Sequence, residues 1–352
     1  MKNIIKIFLI LIILAALFFA AKPYFLKKDA ANNTNNNNQR ETGVRLEWKE
    51  LTNSAAWKPR DSHATFVFRD KIWVVGGLNG NGLVNENHQI RYDRAPHYND
   101  VWNSEDGVNW TKVSEEIWPP RRSMSVVFFK NKLFSYGGWS PISGYYNRIW
   151  SSDDGIKWSM LDSKVPWESR EGQIVEEYNG KLWLMGGVNY DKRKVFNDVW
   201  VSDDGVSWGQ ATAQAGWSGR WDHAVAVFKG KIYLTAGMDL SSHTFKDVWS
   251  SEDGINWNMV TDNAPWPERQ GHSLVDFKGK LILLGRLNDE GGVNDAWYSD
   301  DGMNWTSFGN LPWDGREDSG AIVFKDKIFI AGGMARDWTW RNDVWSADLN
   351  SD

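Results

Sequence analysis

The chain has 352 residues, of which 41 % are hydrophobic and 24 are tryptophan, so it can bury a large core in one domain or two. Its net charge of -5 argues against a nucleic-acid partner, because neutralising phosphates requires clustered lysine and arginine. The absence of cysteine excludes disulfides, cysteine-ligated zinc and thiol catalysis.

Residues 1–28 predict a signal anchor or transmembrane helix. Two lysines precede an apolar run over residues 7–21, which has the length of a signal-peptide core and is slightly short for a membrane span. A cut at the end of this run places Phe18 or Phe19 where signal peptidase favours a small side chain. We therefore favour an uncleaved anchor with the remainder exported. Residues 29–43 are asparagine-rich and predict a flexible linker.

One sequence motif recurs six times over residues 44–348, and its clearest copy is at residues 197–220. A Trp-x-x-Arg corner precedes an apolar strand, a tight turn such as Lys229-Gly230, and a second apolar strand that ends at or near Gly-Gly. A third strand carries another tryptophan, and a Ser-x-Asp-Gly turn leads to a fourth strand with a further one. The corners are Trp57/Arg60, Trp118/Arg121, Trp167/Arg170, Trp217/Arg220, Trp266/Arg269 and Trp313/Arg316.

The sixth copy lacks its fourth strand, because the chain ends shortly after Trp345. Residues 44–51 match the missing strand, which predicts that the two ends of the repeat region share one sheet and leave no open edge. The predicted fold is therefore all-β: a six-bladed β-propeller of four-stranded antiparallel blades. The N-terminal strand closes the ring, and one transmembrane or signal helix precedes it.

The Gly-Gly strands, the Asn-Asp-Val-Trp strands and the Arg-x-x-His start at Arg60 resemble kelch repeats over residues 44–348. This resemblance implies a propeller similar to the central domain of galactose oxidase or to sialic-acid mutarotases. Galactose oxidase chemistry is excluded, since its Tyr-Cys cofactor requires a cysteine. The Ser-x-Asp-Gly-x-x-Trp turns resemble the Asp-box of sialidases with Asp and Gly adjacent, but no Arg-Ile-Pro or Arg-Leu-Pro segment lies near the start.

Features common to the six copies are interpreted as scaffold. The eighteen framework tryptophans are expected to fill the spaces between blades and to clamp the Asp-Gly turns. The corner arginines are expected to bond carbonyl groups of a neighbouring blade. His63, His223 and His272 share one frame position and are expected to be neutral and not metal ligands. We expect neither a metal nor a cofactor.

The corners and the loops after Gly-Gly must emerge on one face of the ring, and residues that break the repeat gather in them. Flat aromatic faces beside carboxylates and guanidinium groups suit stacking on sugar rings and bonding of hydroxyls. The predicted ligand-binding residues are Asp61, Arg122, Trp139, Tyr146, Glu171, Trp221, Asp222, Arg286, Glu317, Trp338 and Trp340. The same loops contain Tyr92, His97, Tyr145, Gln270 and Asp318.

The leading hypothesis is a membrane-tethered, extracytoplasmic propeller, periplasmic or on the cell surface. It binds a glycan or a protein at the face of the ring where these loops emerge. A sugar-active enzyme resembling sialic-acid mutarotases remains open, and no catalytic residue is assigned. Glu176, Glu177 and Asp276 are candidate channel acids for such chemistry, or part of a solvated wall. A structural subunit of an envelope complex is the third alternative.

Overall fold

The computed structural model describes residues 43–85, 90–115, 117–285 and 294–351, and these form six four-stranded antiparallel sheets. The predicted anchor at residues 1–28 and the linker up to residue 42 lie outside the described residues. In the part of the chain that is described, no helix is long and apolar enough to cross a membrane.

The strands follow one another as four-stranded blades, with short additional pairs near the rim. They are β1 (Val44–Thr52), β2 (Ala64–Phe68), β3 (Lys71–Val75), β4 (Val101–Ser104), β5 (Thr111–Ser114), β6 (Ser125–Phe129), β7 (Lys132–Tyr136), β8 (Trp139–Ser140), β9 (Gly144–Tyr145), β10 (Arg148–Ser152), β11 (Ser159–Lys164), β12 (Ile174–Tyr178), β13 (Lys181–Met185), β14 (Val188–Asn189), β15 (Lys194–Val195), β16 (Val199–Ser202), β17 (Trp208–Thr212), β18 (Ala224–Phe228), β19 (Lys231–Thr235), β20 (Val248–Ser251), β21 (Asn258–Thr261), β22 (Ser273–Phe277), β23 (Lys280–Leu284), β24 (Asp295–Ser299), β25 (Trp305–Asn310), β26 (Arg316–Glu317), β27 (Gly320–Phe324), β28 (Lys327–Ala331), β29 (Met334–Ala335) and β30 (Val344–Ser351).

The first strands of the six blades surround the central axis. They are β2, β6, β12, β18, β22 and β27, and each contacts the first strand of both neighbouring blades. This closed circle confirms the predicted six-bladed propeller. The turn after each first strand also has the predicted geometry, since Arg69 and Asp70 have φ angles of 49° and 54°. Two positive φ angles match the right-handed twist of the flanking strands.

The N-terminal strand completes the sixth blade, as predicted. β1 pairs with β30 in antiparallel register, with Trp48 opposite Ala347 and Glu50 opposite Trp345. β30 continues to Ser351, past residue 348, where the sequence analysis ends the propeller. The sheet order β1-β30-β28-β27 therefore joins the two ends of the ring by backbone hydrogen bonds.

The framework tryptophans form one repeated contact in every blade. The corner indole meets the fourth-strand indole edge to face, as in Trp266 and Trp305, whose ring centroids are 4.4 Å apart at an interplanar angle of 86°. In the first five blades the fourth-strand indole also donates to the turn glycine, as from Trp110 Nε1 to Gly107 O at 3.0 Å. These contacts confirm that the indoles clamp the Asp-Gly turns. The six indole pairs are Trp57/Trp110, Trp118/Trp158, Trp167/Trp208, Trp217/Trp257, Trp266/Trp305 and Trp313/Trp48.

The corner arginines donate hydrogen bonds to acceptors of their own blade. The prediction that they donate to carbonyl groups of a neighbouring blade was wrong. Arg60 donates to Gly76 O at 2.8 Å and to Asp100 Oδ1 at 2.7 Å, and both acceptors belong to the blade that Arg60 opens. A buried guanidinium requires a counter-charge, which the Asn-Asp-Val-Trp strand supplies. The equivalent pairs are Arg170/Asp198, Arg220/Asp247, Arg269/Asp295 and Arg316/Asp343.

The three frame histidines are buried between blades. A side chain added at Gly186 would meet His223 Cε1 at 2.5 Å, and one at Gly332 would meet His63 Cε1 at 3.1 Å. His63 and His223 therefore pack against the Gly-Gly end of the preceding blade, and His272 Nε2 lies 2.8 Å from Thr235 Oγ1 at the corresponding strand end. Burial lowers the pKa of His63 and of His223 to about 3, so both rings are neutral at pH 7.

Candidate functional site

The residue after each corner arginine lies at the rim of the axis. In five blades it pairs through the backbone with the loop that follows the second strand of its blade, and the corresponding loop of the fifth blade lies outside the described residues. Asp61 N donates to Leu78 O at 3.1 Å, and Leu78 N donates to Asp61 O at 3.2 Å. β26 and β29 pair in the same way, with Glu317 opposite Met334. Both kinds of loop therefore meet on one face, which we call the mouth.

The next residue in each blade forms a hydrogen-bonded ring below this rim. Its members are Ser62, Ser123, Gly172, Asp222, Gly271 and Asp318, all with positive φ. Five backbone N–H groups of the ring donate to the neighbouring blade's carbonyl group, as from Ser123 N to Ser62 O at 2.8 Å. The left-handed backbone costs on the order of 1 kcal/mol at each non-glycine member. The ring fixes the positions of the side chains above it.

Below the ring, the first strands enclose an axial cavity of about 280 Å³. Asp222 and Asp318 are part of its lining, at the mouth end. Glu176 lies on the inner strand β12, where burial and then Glu177 raise its pKa to about 8. Glu177 is exposed and accepts the N–H of Gly180 at 2.8 Å. Exposure and this contact with the hairpin turn agree with the alternative that Glu177 is part of a solvated wall.

Five carboxyl groups are close together at the mouth. They belong to Asp61, Glu171, Asp222, Glu317 and Asp318. Burial and then the charge of Asp318 raise the pKa of Asp61 to about 8. Burial, followed by the neighbouring acids, raises the pKa of Asp222 and that of Glu317 well above their usual range. The Ser62 hydroxyl donates to Asp318 Oδ2 at 2.8 Å, and Gln270 Nε2 donates to Glu317 Oε2 at 3.1 Å.

Arg122 is already paired within this group. Its Nε and Nη2 donate to the two carboxylate oxygens of Glu171 at 2.9 and 3.2 Å. The guanidinium carbon also lies 4.3 Å from the ring centroid of Tyr92 and 5.1 Å from that of Trp139. The Arg122 and Glu171 side chains are only 13 % and 3 % exposed. This two-bond pair is therefore a fixed part of the mouth wall.

Aromatic side chains from the first, second, third and fourth blades border the acids. The Trp221 and Tyr190 rings meet nearly perpendicularly, with centroids 5.5 Å apart. Tyr190 N donates to the Tyr145 hydroxyl at 2.8 Å. Tyr92 comes from the long loop of the first blade. Burial is the main cause that raises its pKa, and the neighbouring Asp61 adds to it, so its phenol is neutral.

Seven of the predicted ligand-binding residues surround the mouth. They are Asp61, Arg122, Trp139, Glu171, Trp221, Asp222 and Glu317. Tyr146 has a different position, since its ring lies 4.6 Å from the Arg121 guanidinium carbon, as Tyr98 lies 4.4 Å from that of Arg60. This repeated packing gives Tyr146 a place in the scaffold, and its contact with a ligand remains a prediction.

Trp340 does not offer the stacking face that the sequence predicted. It is 2 % exposed and packs in a hydrophobic cluster with Leu78 and Met334. A side chain at Gly80 would meet its ring at 2.4 Å, so the first-blade loop covers the indole. Trp338 is half-buried and packs against the same cluster. Arg286 lies outside the described residues.

Tyr190 is the rim residue that the sequence analysis missed, because its loop has no copy in the other blades. Asp318 and Tyr92 were noted in the loops but left out of the predicted set. An internal signal existed for Asp318, since it holds the same frame position as Asp222, two residues after the corner arginine. Nowhere in the described ranges do three or more histidine, aspartate or glutamate side chains form a group able to hold a metal ion.

The fold defines this protein as a six-bladed β-propeller. No protein-family model matches the chain, and no curated protein matches it. Among solved structures it is similar to one titled "Structure of YjhT", with a TM-score of 0.67 over 84 % of this chain and 96 % of that chain. The two sequences are 16 % identical, which shows the fold alone. Membership of the kelch family therefore remains a prediction, and the fold leaves the function open.

Proposed function

We propose that this protein is a propeller that binds a saccharide at its mouth. The observation that carries the proposal is the convergence of Trp139, Trp221 and Tyr190 with five carboxyl groups around one axis. Aromatic faces stack on the C–H faces of sugar rings, while carboxyl and amide groups bond their hydroxyls. Several polar atoms there lack a partner among the described residues: Asp61 Oδ1, Trp221 Nε1 and Gln270 Oε1.

We further propose that residues 1–28 tether the propeller to a membrane and that its mouth faces outward from the cell interior, in the periplasm or on the cell surface. The apolar run and the asparagine-rich linker in the sequence support this arrangement. A tether of this kind keeps a binding module near the envelope, where saccharides are abundant. Fractionation of cells expressing the full chain, followed by protease accessibility of the propeller, tests it.

Saccharide binding is tested with Trp221→Ala. A glycan array identifies a bound saccharide, and calorimetry compares the variant with the wild type. We expect affinity to fall at least about tenfold, because the variant removes a half-buried stacking face and an unpartnered N–H donor worth roughly 1.4 kcal/mol together. Phe128→Ala is the matched control, since this ring is 43 % exposed near the hairpin at the opposite end of the first strand.

Two outcomes would count against saccharide binding. One is an array on which no saccharide binds the folded protein. The other is a Trp221→Ala variant whose affinity equals that of the Phe128→Ala control. If no saccharide binds and a protein copurifies with the full chain, the alternatives of a protein-binding mouth or an envelope subunit replace the proposal.

A second candidate is a sugar-active enzyme of the type that the kelch resemblance implies. It is favoured by Asp61, whose raised pKa of about 8 keeps a proton available at neutral pH for general acid catalysis. NMR exchange spectroscopy of sugar anomers would detect such an activity. Acceleration by the wild type but not by Asp61→Asn would support the enzyme over the binding module.

A further inference from the structure

The mouth has more acidic groups than the described residues neutralise. Among the residues that the structure describes, Arg122 is the cation that lowers the pKa of Asp61, Asp222 and Asp318. Its Nε and Nη2 groups already donate to Glu171. Within the described ranges, the other four mouth carboxyls form no ion pair with a lysine, arginine or histidine side chain. Burial and mutual repulsion raise the pKa of all four, which is the cost of crowding them without a counter-charge.

Two of the unpartnered buried atoms beside the acids are acceptors, and Trp221 Nε1 is a donor that a sugar hydroxyl can satisfy. Asp61 is 4 % exposed, yet its Oδ1 has no hydrogen-bond partner in the described part of the chain. The Nε1–H group of Trp340 is close enough to Asp61 to lower the pKa of this acid, but the two groups do not have the geometry of a hydrogen bond. The Oε1 of Gln270 is also unpartnered, while its Nε2 bonds Glu317. A group that supplies several donors and no acceptor would satisfy these oxygens.

The aromatic rings beside the acids favour the same chemistry. Trp221 directly precedes Asp222 in the chain, and its ring meets that of Tyr190. Tyr190 is 41 % exposed, so a ligand can reach this pair. A cation is attracted by the face of an indole or phenol ring and by an adjacent carboxylate. A neutral hydroxyl can hydrogen-bond a carboxyl group but gains no charge attraction, and a carboxylate on the ligand would raise the pKa of the acids further.

From this charge balance, the unpartnered oxygens and the adjacent rings, we propose that the mouth selects a saccharide that carries a protonated amine. The inference rests on the proposed function and names the chemical class of its ligand. An ammonium group has three N–H donors and no acceptor. Its positive charge lowers the pKa of the adjacent acids, so Asp61, which holds a proton at neutral pH in the free protein, releases that proton when the amine binds. An acidic sugar would instead add a further carboxylate beside them, and would have to draw Arg122 away from Glu171.

The test compares three trisaccharides that differ only in the group at C2 of each ring, and one acidic monosaccharide. Calorimetry of the full chain at pH 7 uses the β-1,4-linked trimers of glucosamine, N-acetylglucosamine and glucose, with glucuronic acid as the acidic monosaccharide. We expect the glucosamine trimer to bind at least tenfold more tightly than either neutral trimer, and glucuronic acid to show no binding. Calcium and magnesium ions are titrated in the same way, with and without the glucosamine trimer.

Two isosteric variants locate the effect. Asp61→Asn and Glu317→Gln should each weaken binding of the glucosamine trimer about tenfold more than binding of the glucose trimer, because each variant removes the acid and keeps an amide that can bond a hydroxyl. Asp162→Asn is the control, because this acid is fully exposed on the outer strand β11. Circular dichroism of each variant checks that the propeller is folded.

The outcomes separate this inference from the proposed function. If the neutral trimers bind as tightly as the glucosamine trimer, the selection for an amine is overturned while saccharide binding stands. The same holds if the amine preference survives in both acid variants. If a divalent ion binds and displaces the glucosamine trimer, the acids form a metal site and the inference is wrong. If no saccharide binds, the proposed function itself fails.

Discussion

Arg121 differs from the other corner arginines in that Arg148 occupies the position of its aspartate partner. Arg121 is fully buried and donates instead to Gly137 O at 3.0 Å and to Ser135 Oγ at 3.1 Å. The aspartate in each other blade also accepts the Nε1 of the tryptophan two residues later, whereas Trp150 Nε1 has no partner among the described residues. Burial lowers the pKa of Arg121 to about 9. The second blade therefore contains a buried cation without a bonded acid.

Arg148→Asp should stabilise the protein, because it restores both the ion pair with Arg121 and the acceptor for Trp150. We expect a gain of about 1–3 kcal/mol in the free energy of unfolding, measured by urea denaturation. Asp198→Asn in the third blade is the opposite variant. It removes the partner of buried Arg170 and should cost about 3–5 kcal/mol. An Arg148→Asp protein that is no more stable than the wild type would contradict this account of the blade.

At the scale of the strand, closure of the ring depends on β1. This strand pairs with β30 along its whole length, from Val44 opposite Ser351 to Thr52 opposite Val344, with an irregularity near Glu50. In the other five blades the fourth strand follows the third through a short turn, but here the two strands come from opposite ends of the chain. Their register is therefore set by side-chain packing, such as that of Trp48 on Trp313.

A disulfide between Glu47→Cys and Asp348→Cys should form readily, because the two positions are directly opposite in the sheet. The native chain has no cysteine to compete. The cross-link closes a loop of about 300 residues and should raise the free energy of unfolding by up to about 5 kcal/mol. Glu47→Cys with Ser346→Cys is the off-register control, since Ser346 lies opposite Lys49. Cross-linking of the control alone would show that the register is wrong.

For the molecule as a whole, the sequence predicted what its repeats encode locally. The six blades, the positive-φ hairpins and the closure by residues 44–51 each depend on a pattern present in several copies, and all are confirmed. The mouth depends on loops that occur once. Whether an indole is half-buried at the rim, as at Trp221, or lies beneath another loop, as at Trp340, is decided by contacts between distant segments. No local pattern reports those contacts.

The pairing of the corner arginine with the aspartate of its own blade has no local signature in the sequence. The two residues lie 26–40 positions apart and recur in five of the six blades, so the repeat alone does not tell which blade supplies the partner. Tyr146 shows the same difficulty, since its position is filled by Tyr98 and Phe196 in other blades and is a packing position. Pairing between recurring residues becomes visible only when the strands are placed side by side.

The most direct measurement is a crystal structure of the propeller soaked with the glucosamine trisaccharide. We predict electron density at the mouth, with a sugar ring against Trp221 and an amine within hydrogen-bond distance of the carboxyl group of Asp61, Asp222, Glu317 or Asp318. Density bound only on the outer strands or at the opposite end of the channel, with the mouth side chains contacting one another alone, would contradict the account.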